Sequence, residues 1–395
     1  MASDEFLKVQ KDIEQASARP RRQHPNGWEP GVDTERGVVT ALSDDGNPPT
    51  DWSDIIRQFS LDPEQWTVDE SQPVQVRTWD SGDKRNFYYK AALRPLRGAE
   101  SVDVDALVSR VRRSRKSAPA ASESVNRALV VGLSDWQAGK IDGGGVEALV
   151  ERVEALREAV PARVRQLRKA GVPIDRLYVV GMGDLVEGCD GHYEQQTFSV
   201  ELDRRQQVKL VRRMLVDLLT HWSNLAPQIV VASVPGNHGE NRRNGKSFTT
   251  LDDNDDLAVV EQVGEVLAAN PDAFGHVKFV LPDKDMTLTL DVAGTIVAFA
   301  HGHQARRGAG PQKRLTTWWR DKAAARHPVG DADVLVSGHY HHLQVVQDGP
   351  RTWMQCPSLD GGSRWFEEQG GPTTACGTLT FTVDSDGWAN VEVLR

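Results

Sequence analysis

Ala128-Leu129-Val130-Val131-Gly132-Leu133-Ser134-Asp135-Trp136-Gln137 is the stretch that decides how the rest of this chain is read. Six small or apolar residues run without a polar break, as in a strand buried on both faces. The run then stops at a carboxylate and an amide. The same pattern recurs four times. Residues 177–180 lead to Gly183-Asp184-Leu185-Val186-Glu187, 229–234 to Gly236-Asn237-His238-Gly239-Glu240, 295–300 to His301-Gly302-His303, and 334–336 to Gly338-His339-Tyr340-His341. Loops at strand C-termini converge on one crevice in α/β proteins. A single Asp after a strand is usually a helix cap. Five endings that supply carboxylate, amide and imidazole form a ligand mix for divalent metals in hydrolysis.

Spacing within the blocks supports convergence. Residues two apart on extended chain point the same way. This applies to His339 and His341, to Asp135 and Gln137, and to His301 and His303. Either His of the last pair could be a ligand; His301, nearest the strand end, is favoured, with His303 facing substrate.

Working outward, the chain from 127 onward alternates strands with helices. Helical spacing covers 146–170, interrupted by Pro161, and recurs at 208–219 and 257–268. Strand patterns follow at 277–280, 287–290, 345–346, 353–356 and 378–383. Alternation that gives way to strands predicts an α/β domain of two packed sheets flanked by helices over 127–395. Upstream, residues 1–26 read as a charged tail. Residues 27–96 read as a small α+β module. Helical spacing from Asp51 to Phe59, a second helical turn opened by Asp62-Pro63, and two strands around Asp80-Ser81-Gly82-Asp83 suggest a winged-helix-like fold. Nucleic-acid binding and a docking or oligomerisation role both fit it, with Phe87, Tyr88 and Tyr89 as exposed aromatics or as core. Residues 97–126 read as a basic linker containing Arg110, Arg112, Arg113, Arg115 and Lys116. It is either a phosphate contact or a solvated tether.

Composition narrows the function classes. The 395 residues carry a formal charge of −9, which excludes a generally basic coat but not a local basic groove. Arg242 and Arg243, Arg306 and Arg307, Lys313 and Arg314, and Trp318-Trp319-Arg320 all follow the polar blocks, and paired Trp amid Arg suits base stacking. Cys189, Cys356 and Cys376 form no CxxC pair, which excludes a zinc knuckle and suits a reducing compartment. Residues 1–23 contain no apolar signal core, and no run approaches the ~20 residues of a membrane span. The expectation is a soluble cytoplasmic protein with no membrane partner.

In order and separation, the five blocks resemble the D-x-H, G-D-x-x-D/E, G-N-H-D/E, strand-ending H and G-H-x-H motifs of the calcineurin-like metallophosphoesterase superfamily. The likeness covers about residues 127–360, and Pro357-Ser358 is similar to the Pro-Gly-Ser segment after the last motif. The resemblance implies a two-sheet αββα metallophosphoesterase sandwich holding two divalent ions, Mn2+ first, with Mg2+, Fe2+ and Zn2+ as alternatives. It implies that Asp184 bridges the ions. Asp135 and His341 would hold the first ion, with Gln137 where the family has His; Asn237, His301 and His339 would hold the second. His238 would protonate the leaving oxygen or steady the transition state; Glu187, by its place in its block, is expected to accept a hydrogen bond from a ligand or the backbone. Apart from the resemblance, His192, Arg242, Arg243 and His303 are candidates to face substrate by their place in the loops beside the blocks. Two departures stand out: Gln137 offers a harder, weaker donor than imidazole, and Gly239 replaces an acid that comes one position late as Glu240. The leading functional reading is phosphodiester hydrolysis by a DNA exo- or endonuclease, similar to recombination and repair nucleases. It would be phage-encoded and act in the host cytoplasm, with DNA as partner and a homodimer left open. A phosphatase or cyclic-nucleotide phosphodiesterase, and a non-catalytic DNA-binding protein with a decayed site, remain as alternatives.

Overall fold

In a computed structural model, the described residues are 24–95, 104–115, 126–362 and 375–395, apart from 26, 34–36, 44–45, 50, 62, 64–65, 69–72, 82–83, 193–195 and 244. Most of the charged tail and most of the basic linker therefore lie outside the described residues. The chain divides into two compact units, 1–101 and 102–395.

The first unit holds β1 (Gly31–Asp33), β2 (Val38–Ser43), α1 (Trp52–Gln58), β3 (Trp66–Val68), β4 (Gln75–Ser81) and β5 (Lys84–Pro95). Long β5 pairs antiparallel with β2, β3 and β4. The expected hairpin is present as β4 and β5. The expected second helical turn, opened by Asp62-Pro63, lies largely outside the described residues; after it, Thr67 and Val68 pair across the sheet with Arg94 and Leu93. The described part is an antiparallel sheet with one helix. Tyr88 and Tyr89 are buried, so these two rings are core rather than a stacking surface.

The second unit begins with α2 (Val104–Arg112), inside the stretch expected to be a tether. Its Leu107 and Val111 enter the main core, and Arg110 pairs with Asp217. Then come β6 (Ala128–Leu133), α3 (Gly145–Lys169), β7 (Arg176–Gly181), α4 (Arg204–Trp222), β8 (Gln228–Ser233) and the short hairpin of β9 (Arg242–Arg243) and β10 (Lys246–Ser247). They are followed by α5 (Asp255–Ala268), α6 (Pro271–Phe274), β11 (Val277–Val280), β12 (Thr287–Val292), β13 (Thr295–Ala300) and α7 (Gly310–Ala324). The chain closes with β14 (Val334–Ser337), β15 (Gln344–Asp348), β16 (Arg351–Gln355), β17 (Thr378–Asp384) and β18 (Gly387–Leu394).

Two sheets result, ordered β11-β8-β7-β6-β17-β18 and β12-β13-β14-β16-β15. Side-chain alternation along β6 shows how they stack. Leu129, Val131 and Leu133 face a core shared with α3, α4 and α5. Ala128 and Val130 face a second core with Val297, Phe299, Val334 and Val336 of the other sheet. The outer face of that other sheet is covered by Leu315 and Trp319 of α7. This is the helix–sheet–sheet–helix sandwich. No helix among the described residues is long and apolar enough to cross a membrane.

Helix α3 passes through Pro161 without stopping, contrary to the expected interruption. Pro161 has no N–H to give the carbonyl of Arg157, four residues earlier. The buried indole of Trp222 donates to that carbonyl instead, at 2.9 Å. Trp222→Phe should therefore cost about 1–3 kcal/mol, and adding Pro161→Ala should recover part of the loss by restoring an N–H. Urea unfolding of the single and double variants measures this; strictly additive effects would contradict the pairing.

Candidate metal centre

Parallel pairing sets the site. β6, β7 and β8 run in register to Leu133, Gly181 and Ser233, while β13 and β14 end together at Ala300 and Ser337. The polar blocks therefore leave two sheets at the same end. The chain must turn sharply there, and it does so on residues that pay backbone strain. Of the ten non-glycine residues with positive φ among those described, five are Asp135, Gln137, Asp184, His339 and His341, with φ of 51°, 45°, 52°, 73° and 59°. Such conformations cost roughly 1–3 kcal/mol each and gather at functional sites. Glycines permit the close packing: a Cβ on Gly236 would collide with Asp184 Oδ1, and one on Gly338 with Ser134 Oγ and Asp135 Oδ2.

Three predicted ligands meet. Donor atoms of Asp184, His301 and His339 all lie within 4.8 Å of one another. His301 Nε2 is 2.9 Å from Asp184 Oδ2, and its Nδ1 lies 2.7 Å from the carbonyl of Met182. With Nδ1–H donated to that carbonyl, Nε2 is left as the inward donor atom, the usual arrangement of a ligating histidine. Asn237 Oδ1 is buried with no hydrogen-bond partner. These donors fit a divalent cation: hard oxygen with imidazole nitrogen, one orphaned oxygen, and a buried carboxylate. His303 is packed 5.3 Å from His301 ring to ring, but its Nε2 faces Glu240 at 3.5 Å.

On the other side, Asp135 Oδ1 lies 3.1 Å from His341 Nε2, and Asp135 Oδ2 accepts from Ser134 Oγ and from the His339 N–H. Gln137 is buried beside them, but its amide oxygen accepts from Lys140 Nζ at 2.9 Å. Asp360, absent from the expected ligand set, approaches His341 Nδ1 at 3.6 Å and Lys140 Nζ at 2.5 Å.

His238 stands next to the centre. Its backbone N–H donates to Asp184 Oδ1 at 2.8 Å, and its Nε2 is 4.0 Å from Asp184 Oδ2. Its Nδ1 lies 2.8 Å from the carbonyl and 3.2 Å from Oε2 of Glu187. Burial alone would lower its pKa, but the Asp184 and Glu187 carboxylates outweigh burial and raise it to about 10. His301 rises to about 9 as Asp184 outweighs burial in the same way. Burial and the neighbouring His301 push His339 down to about 3. Ring-on-ring stacking places His192 4.3 Å from His238, with burial and His238 lowering it to about 3.

Of the basic residues, Arg242 is tied to Glu240 at 3.0 Å, while Arg243, Arg306, Arg307 and Lys313 are exposed. Trp319 is sealed in the core, its indole donating to the Val329 carbonyl, and only Trp318 is partly open. His342 lies with Nδ1 2.6 Å from the Tyr340 carbonyl. The three cysteines are unpaired and wholly or partly buried.

The residue that holds the centre together was not anticipated. Asp256 is fully buried, and its carboxylate accepts the backbone N–H groups of Asp184, Leu185 and Gly236 at 2.9, 2.8 and 2.9 Å. Burial and the Asp184 charge push it up to about 7 against the pull of those donors. In sequence, Asn254-Asp255-Asp256 reads only as a helix cap with an acidic first turn. Asn254 does cap α5, and its side-chain amide also donates to the Gly236 carbonyl.

No protein-family model and no curated protein sequence matches the chain. Among solved structures, Vacuolar Protein Sorting 29 of Cryptosporidium parvum is similar at 16% identity and a TM-score of 0.30, over 68% of this chain and 96% of that one. A Streptococcus pneumoniae TIGR4 protein described as a predicted phosphoesterase is similar at 13% identity and a TM-score of 0.30, over 68% and 98%. An archaeal phosphodiesterase is similar at 8% identity and a TM-score of 0.31, over 68% and 99%.

Two outcomes follow from the geometry. Asp256→Ala leaves three buried N–H groups without an acceptor and should destabilise the protein by about 3–5 kcal/mol in urea unfolding. The pH response of the metal-free protein follows from His301. Its folded pKa of about 9 exceeds the ordinary 6.5, so its stabilising contribution is complete below 6.5 and is lost as pH rises through 9. His238, raised to about 10, acts in the same direction. The Tm of EDTA-treated protein should fall between pH 7 and 9.5, while Mn2+ affinity rises as His301 Nε2 sheds its proton. Calorimetry and metal titration at both pH values check this; a Tm that climbs over the interval contradicts it.

Proposed function

We propose that this chain is a divalent-metal-dependent phosphoesterase that hydrolyses phosphodiester bonds, with DNA as the leading substrate. One observation carries the reading. Asp184, His301 and His339 present donor atoms within 4.8 Å of one another beside the orphaned Asn237 Oδ1, with His238 alongside but turned toward Glu187. Asp184, Asn237, His301 and His339 would hold the ion, and Asp135 and His341 flank it; Mn2+ is the expected species. The bound ion supplies Lewis-acid polarisation of a phosphoryl oxygen.

The chain's own residues do the rest. Glu187 fixes the His238 ring through Nδ1 and leaves Nε2 on the Asp184 side, where it can donate a proton to a leaving oxygen. His192, stacked on that ring, limits its rotation. Glu240 draws His303 and Arg242 together at the rim, so Arg242 serves as a braced rather than a roaming cation. Exposed Arg243, Arg306, Arg307 and Lys313 favour a polyanion over a small monoester.

A panel of Mn2+, Mg2+ and Zn2+ against linear duplex DNA, single-stranded DNA, bis-p-nitrophenyl phosphate and p-nitrophenyl phosphate tests the reading. Mn2+-dependent cleavage of DNA and of the diester is expected, and His238→Ala should lower kcat about 10²–10⁴-fold with metal binding retained. Fast monoester turnover with every DNA form intact would assign a phosphatase. DNA binding that survives in His238→Ala, without turnover in either protein, would assign a decayed site.

A further inference from the structure

Gln137 stands at the position where an imidazole was expected, and its oxygen faces a cation that belongs to the protein. Lys140 Nζ lies 2.9 Å from Gln137 Oε1 and 2.5 Å from Asp360 Oδ2. The Lys140 side chain is only 11% exposed. Its backbone is pinned as well, the N–H donating to the Gln137 carbonyl at 3.1 Å, with a bridge to Val200. Asp360 is itself fixed: its N–H donates to the Asp135 carbonyl, and Ser358 Oγ donates to its Oδ1. Through Asp360 the ammonium is linked to His341 Nδ1, and through His341 Nε2 to Asp135. On the Asp184 half, the cationic neighbours among the described residues are the imidazoles of His238 and His301 rather than an ammonium.

We propose that Lys140 is a built-in cation that makes the two halves of the centre unequal. The half formed by Asp184, Asn237, His301 and His339 takes one divalent ion. The half formed by Asp135, His341 and Gln137 takes a second only at much higher metal concentration. Three effects act together there. A fixed positive charge repels an incoming ion in a buried, weakly screened setting. The Gln137 oxygen already serves an ammonium. Asp360, which could compensate a second ion, is neutralised by Lys140.

This inference rests on the phosphoesterase reading only in taking a divalent cation as the ligand. Calorimetric titration and equilibrium dialysis of the EDTA-treated full chain with MnCl2 test it, without any activity assay. The wild type should bind one ion tightly and a second at least about tenfold more weakly. Lys140→Gln should tighten the second step by about tenfold or more and leave the first within about threefold, whereas Lys140→Arg, which keeps the charge, should retain the wild-type asymmetry. Two equal steps in the wild type would overturn the proposal even if Lys140→Gln failed to fold. So would a folded Lys140→Gln protein with an unchanged second step. A wild type that binds no Mn2+ at all would overturn the phosphoesterase reading along with it, which separates the two failures.

Discussion

One buried carboxylate organises the end of this molecule where the polar blocks meet. Asp256 gathers the backbone N–H groups of Asp184, Leu185 and Gly236, and so joins the loop after β7 to the loop after β8. Those loops have left their sheet and can no longer satisfy their donors by strand pairing, and an unpaired buried N–H is costly. Asp256 answers that need from the first turn of α5, where the helix N-terminus favours a negative charge. Holding the loops this way orients Asp184 toward His301 and places the His238 N–H on Asp184. Removing the hub would release several strained turns at once, since left-handed Asp184 persists only where its surroundings over-determine it.

The centre built on this hub is lopsided. On the Asp184 side, imidazoles and an orphaned amide oxygen surround one carboxylate, and their donors point inward. On the Asp135 side, Gln137 Oε1 accepts from Lys140 and Asp135 Oδ2 accepts from Ser134 and the His339 N–H, while Asp135 Oδ1, beside His341 Nε2, accepts no hydrogen bond. The same five strand ends thus give one half whose carboxylate and imidazole donors face one another and another half with an ammonium among its partners. His238 belongs to the first half, through Asp184, and is locked by Glu187.

Positive charge follows a similar division. Arg110 and Arg157 share Asp217, Arg242 is held by Glu240, and Arg320 pairs with Asp348. Part of what reads as basic in the sequence is engaged in internal pairing. The exposed remainder, Arg243 with Arg306, Arg307 and Lys313, is what a polyanion could meet. The tandem Trp residues divide too, because on one face of α7 the indole of Trp319 must fill the core beneath the second sheet.

Most strands of the second unit, the two-sheet sandwich and the residues of the five blocks are legible from sequence alone, because each depends on local pattern: period-two burial, apolar runs, and a polar residue where a run ends. Long-range partners are not. Nothing local tells that Trp222 will supply the donor that Pro161 withholds, so the helix looked broken. Likewise Thr67 and Val68 join a sheet because β5 lies beside them. Asp256 is a helix-cap acid until β7 and β8 bring three N–H groups to it, and Asp360 and Lys140 lie 220 residues apart in the chain yet pair beside His341. The sequence by itself determined which atoms could bind a cation. Only the tertiary structure decided which of them were left available, because a donor's availability depends on every charge and hydrogen bond that folding brings within reach of it.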